Sequence, residues 1–305
     1  MTRALLITNP AAARLAARDV TVVRDILRAG GWALDLVATH GPGDARRLAD
    51  ASRAQGFDVV VSYGGDGTAM QVAAGLVGSG IPLGLVPGGT GNLLAGNLRL
   101  PRSPAAAARA LLAARPMAVD LGVVERADGV HYFAVAAGAG FDAELMAGTA
   151  AAAKQRWKMG AYVARALHTL HKVRSAPHRV TVDGRSEELD AAMVLVANCG
   201  ELIPPFLRLR PDIVPDDGWL DVVALRADGV VDSVAAFLAL LRGATAERGR
   251  LWIARGRAVR VETLAGPPRP VQLDGDAAGE TPFEARIMPG ALQVLAADSR
   301  GRRRA

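Results

Sequence analysis

The chain has 305 residues, half of them apolar and 4% aromatic, with 36 Lys and Arg against 30 Asp and Glu for a formal charge of +6. This length exceeds one ordinary domain, and the Ala-, Val- and Leu-rich composition excludes a disordered or fibrous chain in favour of an α/β protein. The single cysteine, Cys199, excludes a disulfide framework or a CxxC metal site, so a reducing compartment is expected, with Cys199 as core filler.

The opening "MTRALLITNP" is too short in apolar residues for a signal peptide and reads as a first strand. Strand-like runs then alternate with helical ones. "RALLITN" precedes a helix over 15–29, "WALDLVA" a polar helix near 43–55, and "FDVVVSY" a helix from Thr68; "IPLGLVP" follows, with helices near 91–97 and 104–114. Continuous apolar strands, each followed by a helix, predict a doubly wound parallel sheet with helices on both faces.

After Pro116 the rhythm changes. Short strands such as "VHYFAVAAG", "AAMVLVANCG", "GWLDVVALRA", "FEARIMPG" and "ALQVLAA" are separated by Gly, Pro and Asp turns, the pattern of an antiparallel β-sandwich. The expected organisation is an α/β domain over 1–118, a β-rich domain over 119–295 with helical insertions near 142–175 and 230–242, and a basic tail over 296–305. No apolar run reaches the roughly 20 residues that cross a bilayer.

Two glycine-rich loops carry the chemistry. "GGDGT", Gly64 to Thr68, ends a buried strand and opens a helix, where unpaired backbone N–H groups and the positive end of the helix dipole suit phosphate. Gly64, Gly65 and Gly67 allow a tight turn and close approach, Asp66 supplies a carboxylate, and Thr68 can cap or donate. "VPGGTGN", Val86 to Asn92, offers Gly89, Thr90 and Asn92 after the next strand, so both loops can line one crevice. A bare strand-to-helix turn is the alternative for either loop alone. There is no GxxxxGK[ST], Met70 breaks GxGxxG, and no HRD precedes a DFG, which disfavours a P-loop enzyme, a dinucleotide dehydrogenase and a protein kinase.

Taken in order, "NPAAA" (9–13), "THGPGDA" (39–45), "GGDGT" (64–68), "PLGLVPGGTGNLLAGNL" (82–98), "GAGFDAE" (138–144), "PDDGWLDVV" (215–223) and "LDGD" (273–276) resemble the bacterial diacylglycerol kinase family, related to sphingosine kinases and, more distantly, NAD kinase. The resemblance implies an NAD-kinase-like nucleotide-binding domain, a β-rich second domain, and ATP-dependent phosphorylation of a lipid hydroxyl. It places nucleotide contacts at Asn9, Pro10, Ala11, Thr39, Gly64 to Thr68, Gln71, Gly89, Thr90 and Asn92. It also implies a magnesium ion at the PDDG turn, held by the Asp217 side chain with the carbonyls of Val214 and Trp219. Asp276 would take the proton of the lipid hydroxyl, a role worth about 10² to 10⁴ in rate, with Asp274 orienting it or facing Mg-ATP and Asp66 shaping the local charge.

Asp276 stands where relatives carry Glu, and Met70 and Gln71 where they carry Asn and Glu; Glu280 is a rival base. A hairpin turn is the plain alternative for "LDGDAAGE", and a turn former that for Asp217. Between Glu144 and Asp183 there is no acidic residue, while Lys154, Arg156, Lys158, Arg165, Lys172, Arg174 and Arg179 interleave with aromatic and aliphatic residues and with His168, His171 and His178. This suits an anionic phospholipid surface or a solvated helix, and no motif there reads nucleic acid. The expectation is a cytoplasmic enzyme peripherally associated with the inner face of the cell membrane. An NAD-kinase-like soluble kinase and a nucleotide-binding regulatory protein without catalysis are the alternatives. Oligomeric state, a homo-oligomer included, stays open.

Overall fold

The computed structural model describes residues 1–12, 15–140, 174–203, 207–210, 212–227, 232 and 251–296. It divides into two units, Met1–Asp120 with Gly290–Ala305, and Leu121–Pro289. The expected helical insertions near 142–175 and 230–242, and the basic tail, fall almost wholly outside the described residues.

In the first unit, strands β1 (Arg3–Thr8), β2 (Ala33–Ala38), β3 (Val59–Gly64) and β4 (Leu83–Pro87) alternate with helices α1 (Ala17–Ala29), α2 (Asp44–Ala51) and α3 (Asp66–Leu76), followed by α4 (Leu93–Asn97) and α5 (Pro104–Ala113). The strands pair in parallel in the order β2-β1-β3-β4. Alternation along each strand sends one set of side chains to each face. Ala4, Leu6, Val59, Val61 and Tyr63 meet Val23 and Leu27 of α1 and Ala107, Ala108 and Leu111 of α5. Leu5, Ile7 and Val60 are also buried, on the face of the α2 and α3 pair. Both faces are therefore covered, as the unbroken apolar runs require.

The order has a functional consequence. From β1 the chain crosses to β2 on one side, then returns to β3 on the other, so β1 and β3 flank a topological switch point. In open α/β sheets the crevice outside the carboxyl ends of such strands is where ligands settle. Thr8 pairs with Tyr63 there, and Gly64 with Pro87.

The second unit contains the second half of β5 (Arg115–Arg126), then β6 (Gly129–Phe133), β7 (Ala136–Gly140), β8 (Ala176–Val182), β9 (Arg185–Ala191), β10 (Met193–Ala197), β11 (Glu201–Ile203), β12 (Leu207–Arg208), β13 (Leu220–Leu225), β14 (Leu251–Gly256), β15 (Ala258–Thr263), β16 (Pro270–Leu273), β17 (Asp276–Glu280) and the first part of β18 (Phe283–Ala296). Strands β14-β13-β10-β7-β16-β17 form one antiparallel sheet; β18, β15, β8 and β9 pair antiparallel in another. Val194, Val196, Leu220 and Val222 of the first pack with Val180, Val259, Val261 and Phe283 of the second, the expected sandwich. Cys199 is buried, as its apolar run predicts.

One boundary differs from expectation. The sequence reads as two strands broken at Pro289, within a second domain ending at 295, but β18 is a single 14-residue strand. Phe283 to Arg286 pair with β15 in the second unit, whereas Val294 pairs in parallel with Leu83 in the first, so the second unit ends at Pro289.

Candidate functional site

At the carboxyl edge of the first sheet the two glycine loops are built against each other. The Gly88 amide donates to the Gly64 carbonyl at 2.8 Å. A Cβ on Gly89 would lie 2.6 Å from the Gly65 Cα, and one on Gly64 would lie 2.8 Å from the Thr68 Cβ, so both positions require glycine for packing. Asn92, in the left-handed region at φ 50°, closes the second loop: its side-chain amide donates to the Gly89 carbonyl and its Oδ1 accepts the Gly89 amide, both at 2.9 Å.

Asp66 joins the loops. Its Oδ2 accepts the Asn92 amide at 2.7 Å and its Oδ1 accepts the Leu93 amide. Its charge thus sits on the first turn of α4, where a carboxylate is favourable. Underneath is a cavity of about 10 Å³ lined by Ser62, Gly64, Gly65, Asp66 and Asn92 among others, room for one water.

Asn9 connects β1 to this assembly. Its Nδ2 donates to Thr68 Oγ1 at 2.9 Å, while its Oδ1 accepts the Ala11 amide at 3.0 Å and shapes the turn that exposes Pro10 and Ala11. The Thr39 amide donates to the Thr8 carbonyl at 2.8 Å, which sets Thr39 at the same edge. Gln71, one turn into α3, accepts the Gly43 amide at 3.1 Å and so braces the loop before α2. Gly67 and Thr90 are exposed. All the expected nucleotide contacts therefore share one edge of one unit. The first-turn amides of α3 have no intrahelical partner, and together with the helix dipole they favour an anion.

In the second unit "LDGD" is a two-residue hairpin. Leu273 pairs with Asp276, and the loop residues Asp274 (φ 49°) and Gly275 (φ 94°) are both left-handed, as a type I′ turn needs. The plain hairpin reading and the family motif are the same object. The Asp274 carboxylate accepts the amides of Ala134, Val135 and Ala136 at 2.7, 2.8 and 2.9 Å, and the Asp274 amide donates to the Ala136 carbonyl at 2.9 Å. Of its two expected roles, this geometry is that of an anchor which fixes the turn presenting Asp276. On the other side of the same bend, Asn198 Nδ2 donates to the Ala134 carbonyl at 2.8 Å.

Asp276 is exposed, yet the protein gathered around its carboxyl removes enough solvent to push its pKa above the usual carboxylate range. Glu280 is also exposed and stands opposite Pro270 at the far end of β17, roughly 13 Å along the strand, so the two carboxylates cannot serve the same proton.

The PDDG turn bends at Gly218 (φ 77°), and Asp217 Oδ1 accepts the Trp219 amide at 3.1 Å. The other Asp217 oxygen lies 3.5 Å from Arg255, whose guanidinium makes a bidentate pair with buried Asp221 at 3.0 and 2.8 Å. Among the described residues no three acidic, His or Cys side chains gather. At this turn the two Asp217 oxygens face the Trp219 amide and Arg255.

Of the basic stretch, Arg174, His178 and Arg179 are described, while Lys154 to Lys172 lie outside the described residues. Arg179 pairs with Glu188 at 2.7 Å. His178 is fully buried, its Nδ1–H donating to the Ala176 carbonyl at 2.7 Å. Sequence reasoning missed Asn198 and Arg255, because their partners are distant in the chain.

Comparison with known proteins agrees with both units. Residues 3–124 match the diacylglycerol kinase catalytic domain, and residues 134–296 match the YegS C-terminal NAD kinase β-sandwich-like domain. A diacylglycerol kinase of Mycobacterium tuberculosis (strain CDC 1551 / Oshkosh) is 34% identical over 258 residues, covering 83% of this chain and 81% of that protein. A diacylglycerol kinase of Bacillus subtilis (strain 168) is 27% identical over 93% of both chains. A crystal structure of a diacylglycerol kinase from Bacillus anthracis str. Sterne superposes with a TM-score of 0.75 over 97% of each chain at 22% identity, a likeness of fold. No helix among the described residues is long and apolar enough to cross a membrane.

Proposed function

The chain belongs to the diacylglycerol kinase family of lipid kinases, and we propose that it transfers the γ-phosphate of ATP to a lipid hydroxyl, with diacylglycerol the foremost acceptor and phosphatidic acid the product. The observation that carries this reading is the pair of glycine loops locked together by Asp66 at the switch point, with the first-turn amides of α3 beside them.

The triphosphate lies on the outer face of Gly65 to Thr68 and of the loop from Gly89 to Asn92, with Asn9 and Thr39 at its flank. Because the Asp66 carboxylate is already matched to α4, its charge opposes the phosphates less than a solvated carboxylate would. The lipid hydroxyl oxygen attacks the γ-phosphorus, the bond to the β–γ bridging oxygen breaks, ADP leaves, and the hydroxyl proton passes to Asp276. A carboxyl with a raised pKa suits this task, since it holds the proton more firmly than an ordinary Asp does. Asp274 keeps the turn rigid. Charge on the phosphate oxygens would be neutralised by magnesium brought with the nucleotide. A second, hydrated magnesium at Asp217, with the Val214 and Trp219 carbonyls, would brace the PDDG turn.

Contact with anionic phospholipid through the basic stretch, on the inner face of the cell membrane, completes the proposal. The test is transfer of labelled γ-phosphate from Mg-ATP to diacylglycerol, a sphingoid base, ceramide and phosphatidylglycerol in mixed micelles, with NAD as soluble acceptor. Labelled phosphatidic acid supports the reading; labelled NADP without lipid product overturns it.

A further inference from the structure

The hairpin that presents Asp276 is gripped at two places, and the second grip belongs to a residue no motif marks. The first grip is the Asp274 carboxylate on the amides of residues 134–136. The second is Arg126, the last residue of β5, whose guanidinium donates to the carbonyl of Ala278, two residues beyond Asp276 on β17. Gly279 next to it is left-handed at φ 84°, and the space a Cβ would fill there is taken by the Arg126 guanidinium. At that φ a residue with a side chain is strained, and glycine leaves the guanidinium room against the strand.

We propose that Arg126 is a positioning residue for phosphoryl transfer, which holds β17 so that the Asp276 carboxylate stays in line with the acceptor hydroxyl. The inference rests on the assignment of Asp276 as base. Three observations favour a positioning role over a surface ion pair. Arg126 is half-buried, and among the described residues no carboxylate lies within salt-bridge distance of it, so its fork is directed at backbone. The raised pKa of Asp276 comes from desolvation, and the Arg126 guanidinium is directed at the Ala278 carbonyl, not at the Asp276 carboxylate. Strand β17 is the edge of its sheet, paired with β16 alone and with a register shift between Pro270 and Gln272, so the stretch after Asp276 that Arg126 grips is the part its ladder holds least; a shift of about 1 Å at a reacting group can cost around 10²-fold in rate.

The experiment is a double-mutant cycle on the full chain, measuring γ-phosphate transfer to diacylglycerol in mixed micelles for the parent, Arg126→Ala, Arg126→Lys, Asp276→Ala and Arg126→Ala/Asp276→Ala, with thermal unfolding of each. Arg126→Ala should lower kcat by about 10- to 100-fold at unchanged KM for ATP and unchanged Tm, and Arg126→Lys should recover part of that loss. In the Asp276→Ala background the same change should do nothing further, because the residue acts through the base. Parental kcat in Arg126→Ala, or equal losses from Arg126→Ala with and without Asp276, would overturn the positioning role while leaving Asp276 as base. Parental turnover in Asp276→Ala would overturn the base assignment, and the role of Arg126 with it.

Discussion

The carboxylate of Asp66, at the first position of α3, accepts the amides of Asn92 and Leu93 at the start of α4, and so ties one glycine loop to the other. An acidic residue in a phosphate-binding loop is electrostatically awkward. Here its charge is matched to a helix terminus, and the carboxylate acts as the pin that keeps two strands' loops in register.

It follows that Asp66→Ala should damage stability as well as activity. Leaving two part-buried amides without an acceptor costs about 1–3 kcal/mol. Urea unfolding should show a lower midpoint at unchanged m, and ATP binding should weaken in parallel. Full stability with lost activity would mean that the carboxylate serves only the reaction.

Gly89→Ala tests the contact between the loops. The added Cβ meets the Gly65 Cα at 2.6 Å, a backbone atom that can move only with its whole loop. The expected result is a rise in KM for ATP of about tenfold or more, with lipid KM unchanged, read from initial rates at varied nucleotide.

The pH profile of kcat/KM should carry the signature of Asp276. Desolvation by the surrounding protein raises its pKa, and the group must be ionised to accept a proton, so activity should fall as pH drops through a value above the ordinary carboxylate range near 3.8. Asp276→Ala should remove that limb along with about 10² to 10⁴ of the rate.

Stability should respond to acid through His178. Burial holds its pKa below the ordinary imidazole value of 6.5, so the folded protein keeps it neutral while the unfolded chain protonates it. Between the unfolded and folded pKa the unfolded state binds more protons, and stability is lost as pH falls below about 6.5. His178→Gln should flatten that part of a denaturant-midpoint curve against pH; an unchanged slope would assign the acid sensitivity elsewhere.

Much of the first unit was legible because its strands are buried on both faces and read as unbroken apolar runs ending in glycine. "LDGDAAGE" likewise announced a hairpin through its turn residues. What could not be read were relations set by tertiary pairing. Nothing local links Asp66 to Asn92, Asp274 to residues 134–136, or Arg126 to Ala278, separations of 26, about 140 and 152 residues. The Pro289-Gly290 step looked like a strand break, since Pro removes a ladder donor, yet β18 continues through it. Asp217 resembled a ligand for a metal, and its facing partner Arg255 emerges only once β13 and β14 pair.

The most direct measurement of the central claim is a crystal structure of the protein soaked with a non-hydrolysable Mg-ATP analogue. The account predicts phosphate density against the first-turn amides of α3, Gly65 to Thr68, and the Gly89 to Asn92 loop. A nucleotide bound elsewhere, or those loops left bare at millimolar analogue, would contradict it.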